Sequence, residues 1–295
     1  MKFLFLLLLT ALASAKVGLL LPLYEYPTTT SGIEDWSAAL SAMDAHPKLP
    51  FHVIINNNGG APYAENPPPD INDWAKLLGD VNAKPKSSLI GYIAVGSSAR
   101  PIDDVKQGID QYAAWKTHDG LEDPPIKHNI QLQGIFLDEI DTDPSKLKYN
   151  EEVAKYAKKA FPSGTIILNP GSSVQTGSES LLDLADSVVG IETCYTADPG
   201  TNGRCPKGEY TPFNASSLDA LSNPGKSSVL VHDFYESWSP FKDASSTALQ
   251  DAVSAIVRKG LHSFYVTTFG YTADFASGLA NVTAVASLAA QTQGI

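Results

Sequence analysis

A chain of 295 residues with 32 acidic against 21 basic side chains carries a formal net charge of −11. That excess argues against the basic surfaces that nucleic acids and anionic membranes require; it suits a neutral or cationic partner, such as an amino-sugar polymer, or plain solubility. The two cysteines, Cys194 and Cys205, have no further Cys or His beside them at zinc-type spacing, so no metal and no cofactor are expected.

In chain order, residues 1–15 read as a secretory signal. Lys2 supplies the positive charge, Phe3 to Leu9 the apolar core and Ala13-Ser14-Ala15 the small-residue cleavage site. The core is too short to cross a bilayer of about 30 Å as a helix, although an uncleaved anchor is the alternative reading. Residues 16–295 are therefore expected to form the secreted, monomeric mature chain, at −12 once the single charge of Lys2 is lost. In an oxidising compartment Cys194 and Cys205 are expected to pair, contributing roughly 2–3 kcal/mol. Asn214-Ala215-Ser216 and Asn281-Val282-Thr283 are sequons expected to carry glycans.

Eight β-rich runs follow: Val17–Leu23, Phe51–Ile55, Leu89–Val95, Gln133–Leu137, Thr165–Leu168, Ser187–Ile191, Ser228–Val231 and Ser263–Thr267. Most are apolar on both alternations, as in parallel strands buried on two faces. Helical stripes lie between them. Ile33, Trp36, Leu40 and Met43 form the first, and Asp70 is expected to cap the second, which buries Ile71, Trp74, Leu77, Leu78 and Val81. Val105, Ile109 and Tyr112, then Val153, Tyr156 and Ala160, mark the next two, and Leu181, Leu182 and Ala185 a short fifth. The sixth, around Ser217 to Leu221, is weak. Leu249, Val253, Ile256 and Val257 end at Gly260, and Val282, Val285 and Leu288 complete the series.

Eight β–α alternations in one domain predict an α/β fold, a single (β/α)₈ TIM barrel. A doubly wound open sheet is the alternative, but Tyr24-Glu25-Tyr26-Pro27 follows the first strand where a glycine-rich phosphate turn would stand. Connections leaving strand C-termini are long, such as Asn56–Pro69, Thr193–Ser216 and Asp233–Ser246, and most returning ones are brief; barrels build their sites at the strands' C-terminal end.

The strand ends supply the chemistry. Gly134-Ile135-Phe136-Leu137 stops on Asp138 and Glu139, and Val188-Val189-Gly190-Ile191 stops on Glu192. Tyr24 and Glu25, Asn56 to Asn58, Asn169, Tyr195, His232 with Asp233 and Tyr235, and Thr268 with Tyr271 should ring the same mouth. Carboxylates to cleave, amides to bind hydroxyl or N-acetyl groups and rings to stack on sugar faces describe a carbohydrate cleft. Strands 4 and 6 are both even-numbered, so their acids can face one another. Period-2 alternation sends only one of Asp138 and Glu139 inward. Rim ion pairs, with Arg100 or Arg204 as partners, are the structural alternative, and Asp138 to Asp143 lacks the glycine and distal glutamate of a calcium loop. No Gly-x-Ser-x-Gly elbow is present.

The opening Val17 to Tyr24, Ile54-Ile55-Asn56-Asn57-Asn58-Gly59-Gly60, Gly91-Tyr92-Ile93, Gly134 to Glu139, Asn169-Pro170-Gly171 and the Glu192 strand together resemble the spherulin 4 (spherulation-specific family 4) proteins. The resemblance implies a secreted (β/α)₈ glycoside hydrolase. It implies endo-cleavage of α-1,4-linked N-acetylgalactosamine in galactosaminogalactan, a cell-wall and biofilm polysaccharide. It further implies that Asp138, Glu139 and Glu192 are the family's acids. Related polygalactosaminidases end the strand with Leu-Asp-x-x-Asp, reproduced by Leu137, Asp138 and Asp141, which favours Asp138 as the inward group. On this reading Asp138 is the nucleophile or charge stabiliser, Glu192 the general acid/base and Glu139 an orienting group. Tyr24, Asn57, Asn169, Tyr195, His232 and Tyr271 would contact substrate. A non-catalytic wall-binding or developmental protein, or a hydrolase of another neutral glycan, would use the same barrel.

Overall fold

The computed structural model describes residues 16–24, 34–56, 63–197, 205, 210–238, 241–269 and 278–295. The signal segment, Glu25, Asn57, Asn58, Arg204 and Tyr271 lie outside the described residues. Eight parallel strands close into a barrel: β1 Gly18–Leu23, β2 Phe51–Ile55, β3 Ser87–Ala94, β4 Gly134–Asp138, β5 Thr165–Asn169, β6 Ser187–Cys194, β7 Ser227–His232 and β8 Ser263–Val266. Each pairs with its neighbours in sequence, and β1 closes on β8.

The apolar stripes pack outside this barrel as α1 Glu34–Ala45, α2 Ile71–Asn82, α3 Ile102–Ala114, α4 Leu147–Ala160, α5 Leu181–Leu184, α6 Ser246–Lys259 and α7 Val282–Gln293. Gly260 closes α6 in the left-handed conformation, φ 73°. Ser245 and Asn281 cap α6 and α7 through their side-chain oxygens. Asp70 does not cap α2: its backbone is already helical (φ −81°, ψ 0°) and its side chain makes no capping bond. The weak sixth helix is a 3₁₀ helix, Ala215–Ala220, held by an Asn214–Ser217 capping box. Serines and Asp219 in that stretch compete for backbone hydrogen bonds and shorten it. Two small hairpins, Thr117–Asp119 with Lys127–Asn129 and Tyr235–Trp238 with Phe241–Asp243, decorate the connections. Three- or four-residue strands carry too little alternation to read from sequence.

Register sorts the strand residues into faces, because side-by-side partners in a parallel sheet point the same way. Gly18↔Ser263, Leu20↔His52, His52↔Ser88, Tyr92↔Phe136, Asp138↔Asn169 and Ile167↔Ser187 all share one face. That face is the barrel interior, in three tiers. The floor is polar: the hydroxyls of Ser187, Ser228 and Ser263 are linked in series at 2.7 Å, and His52 Nδ1 bonds the Ser88 hydroxyl at 3.0 Å. Above it lie Leu20, Ile54, Ile90, Phe136, Ile167, Val189, Leu230 and Tyr265, all buried. Truncating Phe136 there to Ala would cost about 3–5 kcal/mol. The upper tier carries the polar strand ends.

Strand β6 contains one extra residue. Val189 pairs with Ser228, but Ile191 and not Gly190 pairs with Val229. This bulge resets the alternation, so that Glu192, beside Leu230, faces inward where strict period 2 from Val189 would present Ile191. A Cβ at position 190 would lie 2.7 Å from Leu221 Cδ2, so any larger residue there requires that side chain to shift.

Candidate active site

Asp138 ends β4 on the interior face, and three donors fix its carboxylate. The Tyr92 hydroxyl donates to Oδ2 at 2.7 Å; Asn169 Nδ2 (2.8 Å) and the Glu139 backbone N–H (2.9 Å) donate to Oδ1. The same Asn169 Nδ2 donates its second hydrogen to Glu192 Oε2 at 2.8 Å. The two carboxylate oxygens so joined are at most 5.6 Å apart, twice that bond length. Asn169 Oδ1 in turn accepts the Gly171 N–H at 2.8 Å, and the Gly171 carbonyl accepts the Glu192 N–H at 3.1 Å. Gly171 needs its glycine: its φ is 67°.

Glu139 leaves the strand with φ 59°, so the two adjacent acids diverge. Its Oε2 accepts the Gly96 backbone N–H at 3.1 Å. Gly96, Ser97 and Ser98 form a left-handed turn (φ 60°, 52° and 55°), a conformation costing about 1–2 kcal/mol for each non-glycine residue. A buried network offsets that cost. The Ser98 hydroxyl donates to Asn150 Oδ1 (2.6 Å) and accepts the Asp141 N–H (2.9 Å), while Asn150 Nδ2 donates to the Asp141 carbonyl (2.7 Å). Asp141 itself stays in the β4–α4 turn, its carboxylate accepting the Asp143 N–H at 2.9 Å.

Tyr24 meets Tyr92 edge to face, with ring centroids 5.4 Å apart. Burial foremost, then the charge of Asp138, the Tyr92 neighbour and Glu192, raises the Tyr24 hydroxyl well above its ordinary pKa. Burial, the charge of Asp138 and the hydrogen bond to it do the same for Tyr92. Both phenols therefore remain protonated donors through the physiological range.

The remaining expected residues vary in placement. His232 ends β7 on the interior face, and its Nδ1 pairs with Asp233 Oδ2 at 2.7 Å. Tyr195 turns outward, because the bulge at Gly190 puts the even residues Glu192 and Cys194 inside. Its ring stacks on Phe234 at 4.0 Å and lines a cavity with Phe213, Asn214, Ala248 and Asp251. Register places Asn56 on the interior face, and its buried Oδ1 has no hydrogen-bond partner among the described residues. The intervening strand matters too: Asn169 of β5 inserts between the acids of β4 and β6, which strand-parity reasoning leaves facing one another directly. Tyr92 escaped the sequence reading, although a tyrosine on the Ile90 face of a buried strand was a usable signal. Tyr210 was also missed; a Cβ at position 171 would lie 3.3 Å from its hydroxyl.

Cys194 and Cys205 are bridged. The bridge belongs to a clasp in which Phe213 donates its N–H to the Cys194 carbonyl (2.7 Å) and the Thr193 hydroxyl donates to the Thr211 carbonyl (2.6 Å). It fastens the described part of the β6 loop directly beyond Glu192. Among the described residues no group of three or more His, Cys, Asp or Glu side chains is arranged to hold a metal, and no helix is long and apolar enough to cross a membrane.

The model of the spherulation-specific family 4 matches residues 18–287. The chain belongs to that family. Spherulin-4 of Physarum polycephalum is 29% identical over 194 residues, 66% of this chain but 48% of that protein, so the match spans about half of the relative's length. Among solved structures, Aspergillus clavatus Sph3 in complex with GalNAc superposes with a TM-score of 0.67 at 22% identity, covering 93% of this chain and 98% of Sph3. A GH18 chitinase, ChiB of Flavobacterium johnsoniae, follows with a TM-score of 0.54 at 9% identity over 95% of this chain and 94% of that one. A β-mannanase of Mytilus edulis gives 0.51 at 9% identity over 94% and 92% of the two chains. At these identities the likeness is one of fold, a (β/α)₈ TIM barrel.

Proposed function

We propose that this family member is a secreted endo-glycosidase that hydrolyses α-1,4-linked N-acetylgalactosamine in galactosaminogalactan, with Asp138 and Glu192 as its reacting pair. The observation that carries the reading is the shared Asn169 amide, which holds one oxygen of each carboxylate within 5.6 Å of the other. Carboxyl separations of about 5–5.5 Å belong to retaining glycosidases and about 6.5–9.5 Å to inverting ones; with the nearest oxygens bridged by one amide, retention is the outcome we propose. The likeness to Sph3, solved with GalNAc, supports an amino sugar as the substrate unit.

In the first step Glu192 gives its proton to the glycosidic oxygen, while an Asp138 oxygen bonds to C1 as the C1–O bond breaks. Glu192, now a carboxylate, takes a proton from water. The water oxygen bonds to C1 and Asp138 departs with its electron pair. Tyr92, Asn169 and the Glu139 N–H hold Asp138 in line throughout. Glu139 orients this shell, Tyr24 supplies a sugar-facing ring, and Asn57 and Tyr271 are further substrate contacts on this reading. On the same reading residues 1–15 are removed during secretion, Asn214 and Asn281 carry glycans and the mature chain acts as a monomer.

The test is incubation of the secreted protein with purified galactosaminogalactan, followed by mass spectrometry of the soluble products. N-acetylgalactosamine oligomers from the wild type, and none from folded Glu192→Gln or Asp138→Asn, are expected. Full activity in both variants would overturn the reading. A non-catalytic wall or developmental role, suggested by the kinship with Spherulin-4, predicts polymer retention without release of reducing ends.

A further inference from the structure

We infer that Asn169 is a positioning residue for the carboxylate pair and not a ligand of the sugar. The inference rests on the reading that Asp138 and Glu192 react with substrate. Its basis is an inventory of one side chain. An asparagine amide has two N–H donors and one carbonyl acceptor. Both donors of Asn169 are spent, one on Asp138 Oδ1 and one on Glu192 Oε2, each at 2.8 Å. The carbonyl accepts the Gly171 N–H at 2.8 Å. No donor remains for a sugar hydroxyl or acetamido oxygen. The residue is also 6% exposed, whereas both acids it serves are more open.

The partners fix its orientation: only the NH₂ group can donate to two carboxylates, and only the oxygen can accept from a backbone N–H. Gly171 makes the fixture rigid, since its N–H anchors the amide and its carbonyl anchors the Glu192 backbone. One turn, Asn169-Pro170-Gly171, therefore grips Glu192 by side chain and by main chain. Two like charges held this close repel, and a donor placed between them relieves that repulsion as the proton moves on and off Glu192. The positioning acts in the reaction rather than in substrate capture.

Two variants separate these roles. Asn169→Ala removes donors and acceptor; Asn169→Asp keeps an acceptor for Gly171 but replaces the donors with a third carboxyl oxygen beside the pair. Thermal unfolding first establishes that each is folded, and either folded variant suffices for the test. On purified galactosaminogalactan, kcat is expected to fall roughly 100-fold with KM held within about threefold, as for a displaced reacting group. The acidic limb of the kcat/KM profile is expected to move to higher pH. Affinity for an α-1,4-linked N-acetylgalactosamine oligosaccharide, measured by calorimetry, is expected to match the wild type. A loss of oligosaccharide affinity of 10-fold or more, or a raised KM with unchanged kcat and pH profile, would overturn the inference. A wild type that binds the oligosaccharide but cleaves nothing sinks the functional reading, while the affinity comparison still decides what Asn169 does.

Discussion

The Tyr92 hydroxyl donates to Asp138 Oδ2 at 2.7 Å, across the β3–β4 pairing in which Tyr92 stands beside Phe136 and Ala94 beside Asp138. A neutral phenol is required for this bond, and burial beside Asp138, Glu139 and Glu192 keeps it neutral. Tyr92→Phe removes one of three donors to Asp138 and little else. The expected result is a fall in kcat of roughly 10- to 100-fold, with KM and thermal stability near wild type. Steady-state kinetics on galactosaminogalactan check it; unchanged kcat would show that the bond has no catalytic consequence.

The floor of the barrel should make the fold acid-sensitive. His52 stacks on His262 with ring centroids 4.9 Å apart, and burial, then the His262 neighbour, lowers the His52 pKa to about 3. His262 is lowered as well, by burial, with Asp186 opposing. The His52 imidazole thus stays neutral in the fold down to about pH 3, and that of His262 resists protonation, while both take up a proton in the unfolded chain below about pH 6.5. Stability is therefore full above that pH and is lost as pH falls from about 6.5 towards 3, by on the order of a few kcal/mol. Urea denaturation at pH 7, 5 and 4 should show the loss, and His52→Gln should flatten it. Parallel pH dependence in the variant would contradict the assignment.

Ser98 is a test of the strained turn beside Glu139. Ser98→Ala leaves Asn150 Oδ1 and the Asp141 N–H without the partners they now have. The expected cost is about 2–4 kcal/mol, measured by denaturant titration. Ser98→Gly, which retains the left-handed backbone without strain, should recover only the backbone part of that loss.

The disulfide clasp predicts a separable effect. Cys194 and Cys205 are 11 positions apart, a loop for which the chain-entropy model gives roughly 2–3 kcal/mol. A Cys194→Ser, Cys205→Ser double variant should lose about that much stability. It should also show a raised KM, because the clasp brings the Tyr210 hydroxyl to the Asn169–Gly171 turn. Unaltered KM in a destabilised protein would reduce the bridge to a purely structural role.

Much of this architecture could be read from the chain, for definable reasons. Parallel strands buried on both faces leave unbroken apolar runs, so β1 to β8 stand out. Asp138 is legible because period 2 along Gly134–Asp138 is undisturbed. Glu192 is legible as a strand-end acid, but not its direction: that depends on the bulge at Gly190, and a glycine alone does not announce a bulge. The same bulge turns Tyr195 outward, where a simple count of strand ends places it in the cleft. Asn169 is legible as a strand-end amide, but not its place between the acids, because its partners Asp138 and Glu192 come from two other strands. The left-handed turn at Ser97 and Ser98 breaks the local preference of serine and is sustained by Asn150, 52 positions away. Such long-range compensation leaves no local pattern.

The most direct test of the central claim is time-resolved proton NMR of galactosaminogalactan cleavage by the wild-type protein and by Glu192→Gln. An Asp138–Glu192 pair working by double displacement predicts that new reducing ends appear first as the α anomer, and that Glu192→Gln produces none. First appearance of the β anomer, or release of ends at an undiminished rate by Glu192→Gln, would contradict it.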